Sequence, residues 1–430
     1  MLMQIVIIGL GTAGFAAILA IKKFSRDSEI TVIDKKDYLL HSCGLPFALE
    51  GKVKTGDLQH SIKNLNIKLI KGEATNIEPK SKSVTANNER IIYDKLIIAT
   101  GALPFVPNID GVKNNKKILT LHNIDDTEEI IKRAKTAKNI VVIGAGAIGL
   151  EAANALRNKK KDVTVIEALP QCFPKSLDRD MSQIVEEHIN KKGIRLLLNE
   201  KIKKIDKNEI IAENKKIPYD LMIMATGVRA NTKLAESAGI KTSAFGILVN
   251  EKLETNIKDI YAAGDCIQIN NLINNKPWPS LLANSAYRQG TIAGMNAIGN
   301  NLTYKGTLTT FVSVLDELEI AATGFNSYFA KQYSYNIVEA KAAMRVKPEW
   351  FDDKKEIALK IIVNKDNKKI LGAQAVGYNA SSKINILSAA IQAGFSVNDL
   401  SNIELAYCPA VSQAYDIIHL VAELALRKLG

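Results

Sequence analysis

The residue type with the clearest redox chemistry in this chain is cysteine, and one of the four, Cys43, stands in a distinctive segment, HSCGLPFALEG at residues 41–51. The apolar run after it reads as a helix start, and a helix N-terminus draws a thiol toward the thiolate, the form that attacks disulfides. Residues 45–50 contain no second cysteine, so Cys43 has no local disulfide partner. Cys172, Cys266 and Cys408 are scattered, with no CxxC pair and no histidine spacing of a metal site. No metal is expected.

Two glycine patterns supply a second kind of chemistry. In IVIIGLGTAGFAAILA, Gly9-x-Gly11-x-x-Gly14 follows an apolar strand and opens a helix, so backbone and helix N-terminus can meet a pyrophosphate. Asp34 ends the next strand, where a carboxylate accepts ribose hydroxyls. The pattern recurs at Gly144-x-Gly146-x-x-Gly149, with Glu167 in the place of the acid. Like charge at Glu167 repels the 2′-phosphate of NADPH, which makes NADH the expected reductant; Lys175 or Arg179 could offset that repulsion.

These sites need elements to hold them. Residues 4–8, 13–24 and 31–34 read as a βαβ unit, and residues 140–143, 150–156 and 163–167 as another. Each unit has a closing segment, YDKLIIATG at residues 93–101 and YDLMIMATG at residues 219–227, whose final glycine permits close approach to a ligand. Beyond Gly306 the character changes to β-branched runs at 311–314 and 357–363 and apolar helices at 384–393 and 417–426. The expectation is an α/β chain: two Rossmann-like dinucleotide-binding domains, one inserted in the other, plus a C-terminal α+β domain. The boundaries are 1–110 with 245–306, 111–244, and 307–430.

Composition narrows the classes. The chain has 430 residues, 47% hydrophobic and 24% charged, with a formal charge of +12. The lysines are dispersed rather than gathered in an arm with interleaved aromatics, so a nucleic-acid partner is not expected. The apolar stretch 1–21 has no basic region ahead of it and is interrupted by Gln4 and Thr12. It reads as a buried strand running into a helix, not a signal peptide or membrane span. Cysteines in so large a chain without a secretion signal are expected to stay reduced, in a cytoplasm.

A third fingerprint, IYAAGDC at residues 260–266, delivers Gly264 and Asp265 at a strand end. With it the whole chain resembles the pyridine nucleotide-disulfide reductases, and the SCGLP segment resembles their single-cysteine branch of CoA-disulfide reductases and NADH oxidases. The resemblance implies FAD at Gly9, Gly11, Thr12, Ala13, Gly14, Asp34, Lys35, Ser42, Cys43, Ala99, Thr100, Gly101, Gly264, Asp265, Ala283 and Ala286. It implies NADH, or NADPH, at Gly144, Gly146, Ala147, Ile148, Gly149, Glu167 and Gly227. The C-terminal domain would be the interface of a homodimer. Its LAYCPAVSQAYD stretch, residues 405–416, would place Tyr407 as a proton donor near the partner's redox cysteine.

Several positions depart from that branch. Trp350 and Phe351 stand where CoA-disulfide reductases carry a tyrosine, Ala410 replaces a proline, and Ala147 replaces a tyrosine over the flavin. The expected reaction passes electrons from NADH through flavin and Cys43 to a disulfide, persulfide or polysulfide, possibly CoA-linked. The alternative is an NADH oxidase reducing oxygen to peroxide or water. Cys408, beside Tyr407, is a candidate resolving thiol, and Cys172 and Cys266 are expected to be structural.

Overall fold

The computed structural model describes residues 2–25, 27–213 and 215–430. The first fingerprint lies in a parallel five-stranded sheet whose order is Ile260–Ala262, Lys95–Ile98, Met3–Ile8, Ser28–Asp34, Lys68–Lys71. The second lies in another, ordered Ile118–Thr120, Leu221–Met224, Asn139–Ile143, Asp162–Ile166, Arg195–Leu197. In both, the strand before the glycines is central, with its βα partner on one side and the Ala-Thr-Gly strand on the other. Burial on both faces explains why these strands are continuous Ile, Val and Leu runs.

Each sheet also carries a three-stranded antiparallel meander just before its Ala-Thr-Gly strand: Ala74–Glu78, Ser83–Ala86 and Glu89–Ile92 in one, Ile202–Ile205, Glu209–Ala212 and Lys216–Pro218 in the other. Sequence periodicity left these short edges unassigned. The third layer is an antiparallel sheet ordered Phe311–Leu315, Leu318–Gly324, Ile370–Gly377, Glu356–Asn364, Ile337–Arg345. Helices Ala380–Gln392 and Ile417–Leu429 pack on it. The fold class is therefore the expected mixed α/β arrangement.

Two features position the sites. Helix Thr12–Phe24 lies against helix Ala283–Ala297 so closely that a Cβ on Gly290 would strike the Ala13 carbonyl, and one on Gly294 would sit 2.7 Å from that of Ala17. Small residues on both faces are what this approach requires. The C-terminal sheet is locked to the second nucleotide unit by Lys360, 4% exposed, whose ammonium meets Asp178 at 2.9 Å, Asp180 at 3.0 Å and Glu339 at 2.7 Å. Gln374 donates to Asp178 at 2.9 Å, completing a buried polar network that no short motif announces.

Candidate active site

The two glycine cradles are near copies. A Cβ on Gly9 would strike the Ala99 carbonyl and one on Gly14 the Gly9 carbonyl; Gly144 and Gly149 stand identically against Ala225 and Gly144. These four glycines close the turn against its own sheet. Gly11 and Gly146 differ, since a Cβ on either would meet nothing within 4 Å. Each is the N-cap of its helix and has no side-chain cap, so the first helical N–H groups face a space that a phosphate can fill.

The acids are held alike. Asp34 accepts from Leu10 N at 2.6 Å and Lys36 N at 2.8 Å, and Glu167 from Ala145 N at 2.8 Å and Leu169 N at 2.9 Å. Each carboxylate thereby clips the middle residue of its Gly-x-Gly, with lone pairs left for ribose hydroxyls. Lys35 is ion-paired with Glu73 at 2.9 Å on the surface. Arg179 is engaged with Glu186 and with the Pro170 carbonyl, and is not free to compensate Glu167. Ile148 is exposed at the turn and Ala147 opens the helix there.

The two Ala-Thr-Gly turns clasp one another. Strands Ala102–Pro104 and Val228–Ala230, which leave Gly101 and Gly227, pair antiparallel. Thr100 Oγ1 donates to the Asn231 carbonyl at 2.7 Å, Thr226 Oγ1 donates to the Phe105 carbonyl, and Asn231 N donates to the Gly101 carbonyl at 2.9 Å. Gly101 has φ +65° and Gly227 φ +106°, with open space where a Cβ would stand. This reciprocal clasp brings the two cradles to a common wall.

Gly264, at φ +87°, has no room for a side chain, since a Cβ there would stand 2.9 Å from that of Ala13, and its N–H donates to Gln289 at 2.9 Å. Ala286 is buried close by, and Ala283 opens the same helix as Gln289. The next residue, Asp265, has its carboxyl pushed up to about 6 by burial. A desolvated carboxylate needs donors, and the polyhydroxy chain of a flavin nucleotide provides them. FAD fits the first cradle on these grounds, and a nicotinamide dinucleotide fits the second.

Cys43 is exposed, in a single turn Ser42–Gly44 that leads into helix Leu45–Glu50. The pull of this helix start toward the thiolate is opposed by the protein groups around the sulfur. Although its surface is open to solvent, crowding by the surrounding protein raises the thiol first, the carboxylates of Glu151 and Asp265 raise it further, and a hydrogen bond to its own backbone only partly opposes them. Cys172 and Cys266 are fully buried, with thiols raised by desolvation, and Cys266 Sγ contacts the Ala263 carbonyl at 3.3 Å.

Tyr407, Cys408 and Ala410 lie on an exposed loop of the C-terminal layer. Gln413 ties it to the neighbouring loop by donating to the Lys347 carbonyl at 2.7 Å. There Trp350 and Phe351 stack with centroids 4.6 Å apart, and Trp350 is 70% exposed.

Three site-adjacent groups escaped the sequence reading. His60 meets Phe15 edge-on at 5.2 Å and His41 at 6.0 Å, on the ribbon beside Cys43. Glu151 accepts from Ser313 Oγ at 2.6 Å. The one signal for Glu151 was an acid in AIGLEAANAL, a run whose other polar residue is Asn154. His41 and His60 are brought together only by strand pairing of Tyr38–Leu40 with Gln59–Ser61.

Two dinucleotide cradles with a thiol-bearing turn define a flavin-dependent oxidoreductase class. Family models make the assignment specific: residues 3–290 match the pyridine nucleotide-disulphide oxidoreductases, residues 311–417 match the dimerisation domain of the same group, and the chain belongs to this family. It is an NAD(P)H-dependent flavoenzyme that works with FAD. An NADH oxidase of Methanocaldococcus jannaschii is 36% identical, covering all of both chains. An NAD(P)H coenzyme A polysulfide/persulfide reductase of Pyrococcus horikoshii is 30% identical over 98% of each. Among solved structures, an NAD-dependent persulfide reductase from A. fulgidus superimposes with a TM-score of 0.96 at 33% identity, over 99% of this chain and 83% of that one. Among the described residues no helix is long and apolar enough to cross a membrane.

Proposed function

We propose that the enzyme uses NADH to reduce a sulfur–sulfur bond at Cys43, in a disulfide, persulfide or polysulfide substrate, with CoA-linked persulfide the leading candidate. The observation that carries this reading is the exposed Cys43, facing Glu151 and Asp265 and lacking a second thiol in its own turn or helix. The relatives named as persulfide reductases support the substrate class. NADH is preferred because Glu167 holds the place of the ribose-binding acid at the second cradle while Arg179 is spent on Glu186 and Pro170.

In this reading Gly146 and the first turn of its helix receive the NADH pyrophosphate and Glu167 orients the ribose. Gly11, Asp34 and Asp265 hold FAD, which when bound supplies the two-electron step between hydride and sulfur. Cys43 attacks the substrate as thiolate, forming a mixed disulfide and expelling one sulfur as thiolate or hydrosulfide. The net reaction for a disulfide consumes NADH and one proton and gives NAD⁺ and two thiols. The C-terminal layer forms the contact of a homodimer, and Tyr407 reaches the partner's thiol site to deliver a proton.

Cys43→Ser tests this directly. Under anaerobic conditions the variant is expected to bleach its flavin with NADH normally yet lose turnover with CoA disulfide, CoA persulfide and polysulfide. The second reading, an NADH oxidase, is favoured by the 36% identical relative of that name. It would show as oxygen consumption exceeding sulfur turnover in the native enzyme, diverted to peroxide in Cys43→Ser.

A further inference from the structure

At the far end of the helix that follows Cys43, three helix C-termini converge on a cavity of about 430 Å³: those of Leu45–Glu50, of Ile124–Ala134, and of Ala147–Asn158, which begins at the second cradle. Its walls are apolar, with Leu49 and Leu156 fully buried and Ile131 half-buried. Its rim is cationic: Lys135, Lys159, Lys160 and Lys161 line it, and no acid does. A helix C-terminus draws cations to its carbonyls, but these ends are already served. Lys132 and Arg133 lie in the last turn of Ile124–Ala134, and Arg157, in that of Ala147–Asn158, donates to the Lys192 carbonyl at 2.8 Å. The carboxylates around the rim are engaged elsewhere. Glu50 pairs with Lys52 at 2.9 Å and accepts from Asn158 at 3.0 Å, Asp162 faces Arg157 at 3.7 Å, and Glu128 accepts from Thr55 Oγ1 at 2.8 Å. Among the described residues, Lys135, Lys159 and Lys160 enter no ion pair. The Lys159 ammonium instead lies over Gly51, which closes the redox helix, where a Cβ would stand 3.0 Å from it.

We propose that this cavity binds an organic polyphosphate of the nucleotide class, at a site separate from both glycine cradles and from Cys43. Its volume lies in the range that takes one small molecule, roughly 300–1,000 Å³. Ammonium groups gathered without an acid repel one another, and an anion bound among them removes that repulsion. Four lysines at one rim match a ligand of several negative charges, which a fatty-acid carboxylate lacks. Walls of leucine and isoleucine reward an organic body, which inorganic polyphosphate lacks. Lys161, whose ammonium donates to the Lys135 carbonyl at 3.0 Å, braces the rim, while the other three ammonium groups are available to phosphate oxygens. A ligand here touches the redox helix and the helix of the second cradle together, so its binding ties the two nucleotide units to each other. Two sources share the chemistry: a free nucleoside polyphosphate, and the bisphosphorylated adenosine end of CoA.

The test uses the FAD-loaded enzyme with saturating NAD⁺, which fills the second cradle, and titrates ATP, adenosine 3′,5′-bisphosphate and inorganic pyrophosphate by calorimetry. Bound ligand is located by lysine acetylation read by mass spectrometry. At least one nucleotide is expected to bind, more weakly at high salt, and to shield Lys135, Lys159 and Lys160 while exposed Lys80 reacts as before. Tighter binding of ATP identifies the free nucleotide as the source, and tighter binding of the bisphosphate identifies CoA. The double variant Lys159→Gln/Lys160→Gln, both exposed positions, should keep its melting temperature without ligand, lose about tenfold or more in affinity, and lose the shielding of Lys135. Failure of both nucleotides to bind, binding that leaves these lysines unshielded, or affinity unchanged in the double variant overturns the proposal. Pyrophosphate binding as tightly as either nucleotide overturns the assignment to an organic ligand. No sulfur substrate takes part, so the outcome is separate from whether Cys43→Ser abolishes sulfur turnover.

Discussion

Replacing Asp265 by asparagine separates what this carboxylate does to the fold from what it does for a bound nucleotide. Burial lifts its pKa from 3.8 to about 6, well above the value of an unfolded chain. A carboxyl raised in the folded state lends full stability below pH 3.8, and that contribution is lost as pH rises through about 6. The gap between those values corresponds to at most about 3 kcal/mol at pH 8. Flavin-free Asp265→Asn is therefore expected to unfold at higher urea than the flavin-free native protein at pH 8, with the difference closing near pH 4. Trp278 supplies the fluorescence signal, since it packs on Phe325 and Phe329. With saturating FAD the gap should narrow or close, because a lost charged hydrogen bond costs roughly 1.5–3 kcal/mol of binding, about ten- to hundredfold in flavin affinity. A variant no more stable than the native protein at pH 8, or a gap that persists at pH 4, would refute the desolvation argument.

Three further outcomes follow from the geometry. Lys360→Met strands the carboxylates of Asp178, Asp180 and Glu339 and should cost about 3–5 kcal/mol at neutral pH in urea melts. Burial pushes Asp180 and Glu339 up, but the Lys360 hydrogen bond outweighs it and holds both below their usual range. Their stabilisation is thus present at neutral pH and lost as pH falls, and the penalty should shrink in acid. Gly146→Ala should fold normally and raise the KM for NADH about tenfold, whereas Gly149→Ala, whose Cβ meets the Gly144 carbonyl, should lower thermal stability by roughly 1–3 kcal/mol. Equal melting temperatures for the two would contradict the division of labour among the glycines. Tyr407→Phe should slow sulfur turnover without altering flavin reduction by NADH in stopped flow, if its hydroxyl serves the partner's thiol.

The sequence by itself determined the two cradles and their acids, because glycine spacing is read locally and the βαβ unit repeats within one chain. It singled out Cys43 as the candidate redox thiol as well, through the segment HSCGLPFALEG. Tertiary structure decided what no local pattern encodes: the reciprocal clasp of Thr100 with Asn231 and Thr226 with Phe105, and the Lys360 network across domains. It also decided which charges surround the Cys43 thiol. A helix start predicts a thiolate, yet the charges that bear on the sulfur come from Glu151 and Asp265, 108 and 222 positions away in the chain. Electrostatics depends on distance in space and on burial, neither of which is written in residue spacing.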